Sequence, residues 1–135
     1  YLQEIETIAN QYDWVHLENY MNKRDLKMLF RESHIFVMPS KPETFGLVYL
    51  EAMAMGCITI ASRNGGFDGI IKDGVNGFLC EEGNENELSD IIKHIRTMSE
   101  AELLIISKRA METATELTDK RVAKNYIDSV FNTSK

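Results

Sequence analysis

The stretch HIFVMPSKPETFGLVYLEAMAMGCITIA, residues 34–61, decides the fold. His34–Met38 is a continuous apolar run stopped by Pro39, the pattern of a parallel strand covered on both faces. Residues 46–55 predict a helix, and Gly56 stands where a helix-ending glycine belongs. Cys57–Ala61 is rich in β-branched residues and predicts a second strand. Two short strands joined by a helix form a βαβ unit, so the strands are expected to pair in parallel. Within the helix, Glu51 is the only charged residue, and Tyr49 carries the only other polar side chain. A helix that is apolar all round is expected to be buried. A buried carboxylate is costly unless it is paired. Glu51 is therefore expected to meet a partner inside the protein or to await a ligand.

Outward from this unit the same alternation continues. Residues 2–11 predict a helix with Leu2, Ile5, Ile8 and Ala9 on one face. Trp14–Leu17 is a short strand candidate, and Lys23–Glu32 a helix with the stripe Leu26, Leu29 and Phe30. Downstream, Ser62–Gly66 reads as a strand-to-helix loop. Asp73–Gly77 supplies two turn signals ahead of a strand over Gly77–Cys80. Beyond Asn84 only helices are predicted, over residues 85–98, 100–115 and 118–131. Ser99 is placed to cap the second of these, with Glu100 and Glu102 at the positive end of its dipole. The fold class expected is α/β, a Rossmann-like parallel sheet of about four strands flanked by helices. No strand is predicted before residue 12, so the expectation is a domain truncated at its start.

Composition narrows the partners. A net charge of −6 and a pI near 5.1 argue against a global basic field for nucleic acid. No apolar run approaches the 18 residues or so of a membrane span. Cys57 and Cys80 lie in strand-like apolar runs and read as buried free thiols. His16, His34 and His94 have no ligand spacing, so no metal site is expected. A reducing, cytoplasmic compartment follows from these features as an expectation.

Ligands of open α/β sheets bind beyond the carboxyl ends of the strands. Three loops leave such ends, over residues 18–22, 39–45 and 62–68. The amides of Phe45, Gly46 and Leu47 fall at a predicted helix start, where free N–H groups suit a phosphate or sugar oxygen. Gly46 allows close approach to the backbone. The alternative is that Thr44 caps the helix and Gly46 merely relieves crowding. Glu43 and Glu51 are eight positions apart, roughly 80° around and 12 Å along a helix. Placed at the mouth and deeper in, they suit the hydroxyls of an extended ligand such as a sugar or ribose diol.

The residues Phe36–Ser40, Pro42–Gly46, Glu51–Ala54, Gly56, Ala61–Ser62, Gly65–Gly66 and Asp73–Phe78 together resemble the family four retaining glycosyltransferases. The resemblance is to their C-terminal, donor-binding domain, one half of the two-domain GT-B fold, and spans about residues 12–132. It implies metal-independent transfer from a nucleotide-sugar, UDP- or GDP-linked, to a glycan or lipid-linked acceptor, with retained anomeric configuration. By position, Glu51 would accept from the ribose hydroxyls and Glu43, the residue placed as catalytic, would face the donor sugar. Thr44, Phe45, Gly46 and Leu47 would contact donor sugar or phosphate, with Gly65 and Gly66 in the next loop. Asn19, Tyr20 and Met21 occupy the loop that approaches the nucleobase, where Tyr20 either stacks on the base or packs on its own loop.

Three departures stand out. Gly56 is followed by Cys57 and Ile58, where many relatives carry a proline after the next residue. Gly69 stands where relatives often place a glutamate, with Asp68 adjacent. The family's basic pair for the diphosphate has no counterpart, Arg63 being the nearest cation and also readable as a solvated loop residue. The partners implied are an N-terminal acceptor domain and, with the helical tail's Lys108, Arg109, Lys120, Arg121 and Lys124, a peripheral contact at the inner membrane face. Glu112, Glu116 and Asp119 make a mixed solvated face the competing reading of that tail. A sugar-nucleotide epimerase or phosphorylase of the same architecture, or a noncatalytic interaction domain, are the alternative functions.

Overall fold

A computed structural model describes residues 2–39, 46–65 and 69–132, with backbone alone for 46, 47 and 119–132. The element order is α1 (Leu2–Ala9), α2 (Lys23–Glu32), β1 (Ile35–Met38), α3 (Gly46–Ala54), β2 (Ile58–Ser62), β3 (Phe78–Cys80), α4 (Glu85–Thr97) and α5 (Glu100–Asn132). The strands form one parallel sheet in the order β1-β2-β3, with Ile35 opposite Ile58 and Ile60 opposite Phe78. The α/β, Rossmann-like expectation is met.

Strand alternation divides the core into layers. Ala61 and Leu79 pack with Ile71 against Tyr49, Leu50 and Met53 of α3 and against Ala110 and Ala114 of α5. Ile58, Ile60, Phe78 and Cys80 point to the other face, against Ile95 of α4 and Ile106 of α5. Met53 and Ile60 are fully buried, each contributing about 1.5–3 kcal/mol. A third cluster of Phe30, Ala52 and Cys57 joins α2 to α3. Phe36 meets both Phe30 and Tyr49 edge-on, with centroids 5.3 and 5.8 Å apart, so one aromatic row links α2, β1 and α3.

Capping chemistry sets the helix ends. Asn22 accepts from the Asp25 amide at 2.8 Å to start α2, and Asn84 accepts from the Glu87 amide at 2.9 Å to start α4. Ser99 Oγ accepts from the Glu102 amide at 3.1 Å, as expected of its cap role. Gly56, at φ +88°, closes α3. Its amide bonds to Met53 O and that of Cys57 to Ala52 O, the paired closure of a left-handed helix end. Cys57 and Cys80 are buried and free, as read from their apolar surroundings.

Several expectations need correction. Residues 14–17 form no strand, and Trp14 is 76% exposed beside Tyr12, because no described strand lies alongside to pair with them. The sheet therefore has three strands among the described residues. The first helix ends at Ala9, and its stripe of Leu2, Ile5 and Ile8 is exposed rather than packed. Of the run 34–38, Ile35–Met38 form the strand; among the described residues it pairs on one side only and is only partly covered, with Val37 exposed. Residues 100–132 form one helix, not two. Thr118, the predicted start of a second helix, instead donates its hydroxyl back to Ala114 O at 2.8 Å, and neither glycine nor proline interrupts the run.

Candidate functional site

Parallel register brings the carboxyl ends of all three strands to one edge of the sheet, with Met38 opposite Ala61 and Ser62 opposite Cys80. Helix α3 starts at that edge, at Gly46. The first amides of a helix have no partner within it and point outward. The amides of Gly46 and Leu47 thus stand beside the strand ends. Tyr49, buried, donates from its hydroxyl to the carbonyl of Met38, tying the first turns of α3 to the last residue of β1. Burial pushes its phenol pKa up.

Glu43, Thr44 and Phe45 of the predicted site lie outside the described residues, as does Gly66. Gly65 sits in the turn after β2, its amide bonded to Ser62 O at 3.3 Å, and Asn64 before it has φ +67°. Tyr20 is 96% exposed. It therefore packs neither on its own loop nor on any described neighbour.

Glu51 overturns the expectation of a buried carboxylate. It is exposed, while Tyr49, Leu50, Ala52 and Met53 are buried. The helix packs against two clusters and leaves one stripe, Glu51 and Ala54, three residues apart, toward solvent. An alanine on that stripe makes the sequence look apolar all round when the helix is not. Glu51 needs no internal partner, because water hydrates it. Its place on α3, five residues beyond Gly46, leaves it free to accept hydrogen bonds from a ligand.

Arg63 follows β2 directly and is exposed, as a solvated loop residue would be, but it is held by an ion pair. Its amide donates to Cys80 O at 2.8 Å. Its guanidinium Nη2 pairs with Glu87 Oε1 and reaches Leu79 O at 3.4 Å. The other Glu87 oxygen accepts from the Glu81 amide at 3.3 Å and from Asn84 Nδ2 at 3.5 Å. This carboxyl is held below its ordinary value, first by the hydrogen bond from Arg63 and then by the Glu81 amide and the guanidinium charge, against some desolvation. The network clamps the loops after β2 and β3 to the start of α4. Nothing in the sequence marks it, since its two charged ends are 24 residues apart.

The turn at residues 73–77 is equally built. Asp73 Oδ1 accepts from the Leu79 amide at 3.0 Å. Buried Asn76 accepts from the Lys72 amide at 2.8 Å and donates to Ile70 O and to Thr113 Oγ1. Among the described residues no three His, Cys, Asp or Glu side chains group as a metal-ligand set. Nor is any described helix long and apolar enough to cross a membrane.

Residues 1–112 match the family described as glycosyl transferases group 1. The sulfoquinovosyl transferase SQD2 of Arabidopsis thaliana is 36% identical over 107 residues, covering 76% of this chain and 20% of that protein. Anabaena HepE, solved in complex with UDP-glucose, matches with a TM-score of 0.79 and 25% identity, over 96% of this chain and 37% of that one. The C-terminal domain of the group 1 family protein LpcC from Francisella tularensis matches with a TM-score of 0.73 and 26% identity, over 85% of this chain and 60% of that one. The chain thus spans a fifth of the sulfoquinovosyl transferase, 37% of the HepE chain and 60% of the LpcC domain.

Proposed function

The chain belongs to the group 1 glycosyl transferases, and from that premise we propose that it is the donor-binding part of a retaining GT-B glycosyltransferase. The observation that carries the proposal is the start of α3 beside the carboxyl ends of three parallel strands, with Glu51 exposed on the same helix. The substrate proposed is a nucleotide-sugar, UDP-linked by analogy with the UDP-glucose bound to HepE. Its acceptor is a glycan or a lipid-linked acceptor, bound with the help of an N-terminal acceptor domain.

In this proposal the amides of Phe45, Gly46 and Leu47 hold donor sugar or phosphate oxygens. Their aligned dipoles stabilise negative charge growing on the departing nucleoside diphosphate. Glu51 accepts from the ribose hydroxyls, which are better donors to a carboxylate than to a neutral oxygen. Glu43 faces the sugar hydroxyls and steadies positive charge at the anomeric carbon. No residue is assigned as the attacking nucleophile, and no metal takes part.

The test is an NMR titration of the protein with UDP, GDP, ADP and their glucose conjugates, repeated on Glu51→Gln. The expected result is a set of shifts around Phe45–Leu47 with one nucleotide series, weakened roughly tenfold by the substitution. Because Glu51 is exposed, its thermal midpoint should stay within a degree or so of wild type. Equal affinity of the two proteins for every nucleotide would overturn the ribose contact. A folded protein that binds none of them would overturn donor binding.

A further inference from the structure

Helix α2 carries a second surface that the donor site does not use. Lys23, Arg24, Lys27 and Arg31 line a groove of about 650 Å³ with Met28 of the same helix and Ala54 and Met55 at the end of α3. At about 100° per residue the four cations fall within an arc of roughly 100°. The helix's two acids, Asp25 and Glu32, lie some 80° or more beyond that arc. Among the described residues no acidic side chain lines the groove, and none of the four cations is ion-paired. Met28 is 52% exposed. This concentration of unpaired positive charge occurs in a chain whose net charge is −6.

We propose that this groove docks the protein on an anionic phospholipid surface. A cationic rim over a methionine floor matches an amphiphile whose negative headgroup adjoins hydrocarbon. Lysine and arginine stems lie along apolar surface while their charged ends reach phosphate. Methionine adapts to irregular apolar partners. Because the chain as a whole is acidic, it is repelled by such a membrane except where this face is turned toward it. The tail is the weaker candidate. Its described groove mixes Lys108 with Glu112 and Glu116. The inference stands independently of donor binding.

The experiment is co-sedimentation of the full-length protein with phosphatidylcholine vesicles, plain or doped with phosphatidylglycerol, at low and high salt. The protein should sediment with the doped vesicles only and be released by salt. Lys27→Glu/Arg31→Glu should weaken partitioning at least about tenfold while the circular dichroism spectrum stays native. Should that reversal unfold the chain, the neutral pair Lys27→Gln/Arg31→Gln replaces it, with a smaller loss in the same direction. Equal sedimentation with both vesicle types, or undiminished binding by a folded variant, would overturn the proposal. So would capture by polyglutamate in preference to vesicles, which would assign the groove to an acidic polypeptide.

Discussion

The substitution Gly77→Ala separates two reasons for a glycine in the 73–78 turn. A Cβ at residue 77 would lie 2.8 Å from Thr59 O and 3.1 Å from Ile71 Cγ2. Thr59 O belongs to β2, paired on both sides, so this obstacle is backbone that cannot step aside. Overpacking against a fixed neighbour costs about 3 kcal/mol, at the upper end of the usual range. Alanine returns about 0.4–1 kcal/mol by restricting the unfolded chain. The net loss expected is about 2 kcal/mol, or roughly 8 °C in Tm for a chain of this size. Gly74 is the contrast. It has φ +77° with nothing within 4 Å of an added Cβ, so Gly74→Ala should cost about 1 kcal/mol in backbone strain alone. Asparagine tolerates that conformation, so Gly74→Asn should recover most of the loss while Gly77→Asn recovers none. Urea unfolding followed by circular dichroism measures all four variants. A Gly77→Ala protein within 0.5 kcal/mol of wild type would refute the steric argument, as would rescue by asparagine at both positions.

Two further predictions concern the ties around the strand ends. Tyr49→Phe removes the hydroxyl that donates to Met38 O and should cost about 1–2 kcal/mol in urea unfolding. It should also shift the Gly46 and Leu47 amide resonances, and unchanged stability and spectra would show that the tie contributes nothing. Glu87 has its pKa lowered from an ordinary 4.5. The stability from its pairing is therefore present above that value and lost as pH falls through the folded-state pKa. Glu87→Gln should flatten the dependence of Tm on pH below about 4.5, and an acid limb as steep as wild type would contradict the Arg63 pairing.

Much of the architecture was legible along the chain. The apolar run before Pro39, the β-branched run after Gly56 and the helix between them required only local rules. The bounds of α2 and the Ser99 cap followed from periodicity and from a side chain reaching its near neighbours. Tertiary structure decided what depends on residues far apart. Glu51 looked buried because every residue beside it is apolar, yet packing on two clusters left its stripe to solvent. Trp14–Leu17 has strand composition, but a strand exists only by hydrogen-bonding to another. Arg63 finds Glu87, and Asn76 finds Thr113, across spans no motif records. Local sequence sets backbone preference and which residues can share a face. Which face meets solvent, and which charge meets which, is settled only when the elements pack.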